Sequence, residues 1–243
     1  GEGEETEPNA LVQPKTVDFG FVFEGQTETA YISVRNVGDG ELTFVGADVD
    51  DNNCTGDFQI TYEPTANSII SGDQSKVIEV TFNSVDAREA QCYIDIVTSD
   101  ADTPNERVLL KANSGVNPAN LPPVVKIHSP EPGYQHFGLE PLELELTVFD
   151  ANEPASNLYC KVRSAFQGYE DGKPAVAGCT PAEGNTSGHM FVQVPVDDYI
   201  GTGTDVLLVK VTDSSGITRE ASVPVLINSD YPVSDDDGDG FGT

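Results

Sequence analysis

Glu28-Thr29-Ala30-Tyr31-Ile32-Ser33-Val34-Arg35-Asn36, followed at once by Val37-Gly38-Asp39-Gly40, is a β-rich run closed by a turn cluster. Units of this kind recur along most of the 243-residue chain. From Leu11 onward short β-rich runs alternate with clusters of Gly, Asp, Asn and Pro. No apolar period of 3.6 residues persists long enough to indicate a helix. The chain therefore reads as all-β. In the first half the runs fall at residues 17–23, 28–36, 41–49, 58–62, 76–82, 92–98 and 107–112.

Seven short strands at this spacing predict one immunoglobulin-like sandwich. Residues 113–123 then carry Asn-Ser-Gly-Val-Asn-Pro ahead of Leu-Pro-Pro, a composition that breaks strand pairing and marks a linker. Further runs at 124–128, 142–149, 158–165, 190–194, 206–212 and 218–227 predict a second sandwich, with a long irregular excursion from 166 to 189. The expected organisation is two tandem immunoglobulin-like β-sandwiches, at 11–114 and 122–229, joined by a linker at 115–121. A flexible acidic tether, 1–10, precedes them, and a disordered acidic tail, 230–243, follows.

Twelve Lys and Arg against 41 Asp and Glu give a formal charge of −29. Such a surface repels phosphate backbones and anionic headgroups, which argues against nucleic-acid or membrane-surface partners. Acidity of this kind either keeps a secreted protein soluble or awaits a divalent counter-charge. With 37% hydrophobic residues the chain has enough apolar mass for real cores. No apolar run approaches the ~20 residues that span a bilayer, so membrane insertion is not expected. The opening Gly-Glu-Gly-Glu-Glu-Thr-Glu-Pro reads as a self-repelling tether. It is what removal of a signal or lipid-anchor segment would leave, and equally what an arbitrary boundary would give.

Cys54, Cys92, Cys160 and Cys179 form an even set without C-x-x-C spacing, and no His lies in metal-ligand register with them. Disulfides are expected rather than zinc. Of the three connectivities, Cys54 to Cys92 and Cys160 to Cys179 each close within one sandwich. Two such bonds imply an extracellular, cell-surface or periplasmic location.

Two resemblances add to this reading. Val17-Asp18-Phe19-Gly20-Phe21-Val22 with Gly25, Val34-Arg35-Asn36-Val37-Gly38 with Leu42, Val80-Thr81-Phe82 and Ser99-Asp100-Ala101-Asp102-Thr103-Pro104 make residues 14–112 resemble the bacterial relatives of the ASH and major-sperm-protein immunoglobulin-like domains, met as choice-of-anchor repeats. The chain departs from that pattern at Ser84, where a Pro is usual, and in having a disulfide. Residues 122–229 resemble bacterial Ig-like modules through Pro122-Pro123-Val124, Val148-Phe149-Asp150 and Val211-Thr212-Asp213-Ser214-Ser215-Gly216. Both resemblances imply a fold and little chemistry.

The tail Asp235-Asp236-Asp237-Gly238-Asp239-Gly240-Phe241-Gly242-Thr243 places carboxylates at alternate positions 235, 237 and 239 before the turn residue Gly240. This is the register that wraps oxygen ligands around Ca2+, here lacking the final acidic ligand. It is similar to thrombospondin type 3 and dockerin calcium loops. A second acidic group follows from topology: strands ending at Asp150 and Asp213 finish at one pole of the second sandwich, the pole that faces the linker. Asp150, Asn152, Glu153 and Asp213 are expected there, meeting Glu24, Asp86 and Glu89 from the far end of the first sandwich. Cation binding competes with the plainer reading, that Asp and Asn suit the turns that end strands.

The histidines, His128, His136 and His189, stand in no H-E-x-x-H pattern. No G-x-S-x-G elbow or phosphate-binding Gly-rich loop is present either, so no enzymatic activity is expected within these residues. In the excursion, Phe166 and Tyr169 either contact a partner or cover a sandwich edge. The expected role is a non-catalytic structural or adhesive segment of a bacterial cell-surface or secreted protein. Its partner would be a protein or glycan at the cell surface, and Ca2+ would control stiffness. The rival is an accessory region of a secreted hydrolase whose catalytic domain lies elsewhere.

Overall fold

Ile32 and Val34 turn from the quoted run into an apolar core, where Ile78 and Val80 of the neighbouring antiparallel strand join them. The computed structural model describes residues 7–86, 88–113, 120–138, 140–166, 175–196 and 203–228. Nine strands surround this first core: β1 (Ala10–Gln13), β2 (Thr16–Asp18), β3 (Thr27–Asn36), β4 (Leu42–Val49), β5 (Asp57–Tyr62), β6 (Ser68–Ile70), β7 (Ser75–Asn83), β8 (Ala90–Thr98) and β9 (Asn105–Ala112). They form two sheets in the orders β1-β3-β7-β5 and β2-β9-β8-β4-β6. Phe19, Phe58 and Phe82 cluster between them, the last two with ring centroids 4.7 Å apart. Each such ring contributes about 1.5 to 3 kcal/mol by leaving water.

The strand expected over 17–23 stops at Asp18. The Asp18 carboxylate accepts the Gly20 N–H at 2.9 Å, and Gly20 adopts a φ of 63° that turns the chain out of the sheet. Conversely, the sheet starts inside the segment expected as tether. Glu7 and Asn9 carbonyls accept the N–H groups of Gly40 and Val37, and Ala10 is already buried in β1. Ser84, standing where the resembled family has Pro, is buried and donates its hydroxyl to the Val22 and Asp86 carbonyls, each at 2.9 Å.

The second core lies among β10 (Val124–Ser129), β11 (Tyr134–Phe137), β12 (Leu142–Phe149), β13 (Tyr159–Ser164), β14 (Ala177–Gly178), β15 (His189–Val194), β16 (Gly203–Thr212) and β17 (Thr218–Asn228). Its sheets run β10-β12-β15 and β11-β17-β16-β13-β14. Leu144, Leu146 and Val148 on β12 alternate inward against Val209, Val211 and Val225. Two tandem immunoglobulin-like sandwiches result. The disulfides are Cys54–Cys92, inside the first, and Cys160–Cys179, inside the second.

The sandwiches pack side by side through the outer faces of β3 and β7 against β16 and β17. Tyr31, Ala165 and Val206 form a small apolar cluster between them, joined by Val77. Around it the Tyr31 N–H donates to Ser222 Oγ at 3.2 Å, Ser75 Oγ donates to the Thr204 carbonyl, and Arg219 pairs with Glu28 at 3.3 Å. Burial and the neighbouring Glu79 push the Tyr31 phenol up to about 12. Residues on β3 that would alternate into solvent are thereby covered, and Tyr31, Ile32, Ser33 and Val34 are all buried.

Candidate metal centre

Asp150 follows the last residue of β12, and Asp213 follows the last residue of β16. The two strands run in the same sense across the second core, so both carboxylates emerge at one pole. Each carboxylate is drawn inward by its own turn. Asp150 Oδ1 accepts the N–H groups of Asn152 at 2.6 Å and Glu153 at 3.2 Å. Asp213 Oδ1 accepts from Ser215 N–H at 2.9 Å, Ser215 Oγ at 2.8 Å and Ile217 N–H at 2.7 Å. These are Asx turns, the local geometry for which Asp is favoured at strand ends. Asp150 and Asp213 are only 5% and 6% exposed as a result.

Glu153 completes the group. Its Oε1 accepts the Ser214 N–H at 2.7 Å, tying the loop after β12 to the loop after β16. The ligand oxygens of Asp150, Glu153 and Asp213 lie within 4.8 Å of one another. Two of the remaining oxygens, Asp150 Oδ2 and Glu153 Oε2, are buried and accept no hydrogen bond from the described residues. Among the described residues none of the three carboxylates forms an ion pair. Burial pulls the Asp213 carboxyl upward, but the bonds from Ser215, Ile217 and Asn120 outweigh it and hold the group below the usual carboxylate range. Three hard oxygen donors and uncompensated negative charge suit a hard divalent cation, for which Ca2+ has the matching ligand preference.

The linker is fastened to this pole. Asn120 Nδ2 donates to Asp213 Oδ2 at 3.1 Å and to Ser215 Oγ at 2.7 Å, and the Leu121 N–H donates to Asn152 Oδ1 at 3.0 Å. Sequence reasoning did not anticipate Asn120, and nothing in its setting before Leu-Pro-Pro marks it.

The expected contribution of the first sandwich is corrected. Asp86 pairs with Arg88, Glu24 and Glu89 are exposed, and none belongs to the carboxylate group. Phe166 is half-buried: its ring lies under the Arg35 guanidinium, 4.3 Å from its centroid, and its carbonyl accepts Arg35 Nη1 at 3.2 Å. Tyr169 and the tail residues Asp235, Asp237 and Asp239 lie outside the described residues. The three histidines are engaged locally, His128 with Thr147, His136 with the Glu140 carbonyl and His189 with Glu145.

Residues 9–113 match the family described as HYDIN/CFA65/VesB-like, Ig-like domain. The first sandwich is thus an Ig-like domain. Among solved structures the chain is similar to the ASH / PapD-like domain of human CEP192, with 13% identity over 42% of this chain and 82% of that one and a TM-score of 0.32. It is similar to the VesB protease of Vibrio cholerae, with 15% identity over 42% of this chain and 30% of that one and a TM-score of 0.35. It is also similar to the fibronectin(III)-like modules of Clostridium thermocellum CbhA, with 15% identity over 90% of this chain and 94% of those modules and a TM-score of 0.32. No curated protein matches it.

Proposed function

We propose that the chain is a non-catalytic structural or adhesive segment of a bacterial cell-surface or secreted protein, in which Ca2+ at Asp150, Glu153 and Asp213 locks the linker to the second sandwich. The observation that carries the cation is the pair of buried carboxylate oxygens, Asp150 Oδ2 and Glu153 Oε2, left without a donor inside a group of three acids. Burying such charge without compensation is costly, and a bound cation removes the cost. The disulfides support an oxidising compartment. Asp235, Asp237 and Asp239 would add a second, weaker site in the tail.

Calorimetry on a chain ending at Asn228 tests the pole without the tail. One Ca2+ should bind with a dissociation constant on the order of 0.1 to 1 mM, the range of extracellular modules. At ~5 mM Ca2+ the stabilisation should be about 1 to 2 kcal/mol. Asp150→Asn should abolish both effects. Absence of binding and of any calcium-dependent melting shift in the truncated chain would sink the cation reading and leave the structural role standing.

A second reading, an accessory region of a secreted hydrolase, draws support from the family match, since the VesB of that family's description is named as a protease in Vibrio cholerae. The sequence flanking this segment separates the two readings: a hydrolase domain there favours the second, and further Ig-like or Asp-Gly repeats favour the first.

A further inference from the structure

The sheet β10-β12-β15 turns one face away from the core of the second sandwich. On β12, Leu144, Leu146 and Val148 are buried, so Glu143, Glu145 and Thr147 alternate onto the outer face. Thr147 stands opposite His189 on β15, and Glu145 opposite Phe191. On β10 the ladder slips: Ile127 pairs with Leu146 and Ser129 with Glu145, which leaves His128 as the extra residue of a β-bulge. A bulge re-aims the side chain it carries. His128 Nε2 comes within 2.9 Å of Thr147 Oγ1, and the ring centroid lies 5.9 Å from that of His189.

Glu145 closes the group, its Oε1 2.9 Å from His189 Nε2. Phe191 steadies the same imidazole edge to face, with ring centroids 5.3 Å apart. Two imidazoles and one carboxylate, each on a different strand of one sheet, are the nitrogen and oxygen donors that first-row transition-metal dications prefer, Zn2+ above all. The spacing agrees with the chemistry. Tetrahedral zinc with bonds of ~2.0 Å holds neighbouring donor atoms ~3.3 Å apart and two imidazole centroids ~5 Å apart, and the His189–Glu145 and His128–His189 separations each fall within about 1 Å of these values. Only the His128 ring has to turn, exchanging a bond to a neutral hydroxyl for one to a metal. Both imidazoles are exposed, so the turn buries nothing and uncovers nothing.

We infer that this face is a transition-metal site, in which His128, His189 and Glu145 bind one Zn2+ and the fourth position faces solvent. It shares no ligand with the calcium proposed at the linker pole. Donor chemistry separates the two, since imidazole nitrogen favours zinc and an all-oxygen group favours calcium.

The test is calorimetry of the full chain with ZnCl2 in the presence of ~5 mM CaCl2, which competes for all-oxygen sites, together with NMR of the histidine ring nitrogens. One equivalent of Zn2+ should bind and saturate. Zinc should move the ring signals of His128 and His189 and leave those of His136, on β11, in place. His128→Gln and His189→Gln should each weaken binding at least tenfold, and because both side chains are exposed neither should shift the melting temperature of the zinc-free chain. Asp150→Asn should bind zinc as the unaltered chain does. Absence of saturable zinc binding, or binding that either histidine variant leaves unchanged, overturns the inference. Loss of zinc binding in Asp150→Asn with both histidine variants still binding would put the metal at the linker pole and overturn it equally.

Discussion

Asp205, near the start of β16, is fully buried. Its carboxylate accepts the Ser164 hydroxyl at 2.5 Å and the N–H groups of Val206 at 2.8 Å and Phe166 at 3.2 Å. Burial pushes the carboxyl up to about 7, and these donors pull it back only in part. An unfolded Asp titrates near ~3.9. Between these values the folded protein holds a proton that the unfolded chain has released, so stability falls as pH rises. This contribution is fully present below about pH 4 and lost through about pH 7. Asp100 and Asp213 act with the opposite sign. Burial raises both, but hydrogen bonds hold each below the usual carboxylate range, and their stabilisation is lost as the solution becomes strongly acidic. Thermal melts between pH 5 and 8 should therefore show a declining melting temperature in the unaltered protein and a flatter profile in Asp205→Asn. Equal slopes in the two proteins would assign the decline to other groups. The strand-end positions of Asp150, Glu153 and Asp213 were legible in advance, although strand parity does not bring them together, since Asp150 follows the second and Asp213 the fifth of the six expected runs; their approach within 4.8 Å is given by the fold. The buried state of Asp205 was not legible. Its neighbours in sequence are those of an ordinary strand start, and its side chain alternates onto the face of β16 that Leu207 and Val209 turn into the second core.

At the scale of elements, the alternation of residues in β3, β8 and β12 was enough to place them, since inward Ile, Val and Leu recur at every second position. The short edge strands β1, β6, β11 and β14 escaped, because two to four residues carry too little periodicity to rise above the turns beside them. One stronger signal went unused. Val206-Leu207-Leu208-Val209 is a continuous buried run, the pattern of a strand covered on both faces. Leu207 and Val209 belong to the second core, while Val206 meets Tyr31 and Leu208 lines the seam. The pairing of Cys160 on β13 with Cys179 after β14 closes a loop with a sequence separation of 19. The chain-entropy relation assigns it about 3 kcal/mol. Denaturant titration of the Cys160→Ala, Cys179→Ala double variant should show a loss of this order, with the first sandwich unaffected. Non-reducing peptide mapping of the unaltered protein should recover 54 with 92 and 160 with 179. A crosslink between the halves would contradict both pairings.

For the whole molecule, the side-by-side packing of the sandwiches is the feature least visible in the sequence. Tyr31 and Arg35 occupy positions that alternate away from the first core, and their residue types are equally at home on an exposed face. Their partners, Ser222 and Phe166, lie more than a hundred residues away. Tyr31→Glu places a charge at the apolar centre of this contact without entering either core. Small-angle scattering should then report a larger radius of gyration, while each sandwich keeps its own melting transition. An unchanged radius would show that the polar bonds around Tyr31 hold the arrangement without it. The two disulfides carry a consequence of another kind, for a chain tethered at one end and pulled at the other. Cys54–Cys92 and Cys160–Cys179 span separations of 38 and 19 residues. A fully unravelled chain gains at most ~3.5 Å per residue, so these closed loops withhold about 200 Å of contour length until they are reduced. Under tension the molecule has a built-in stop, and a reductant in its surroundings would lengthen its reach.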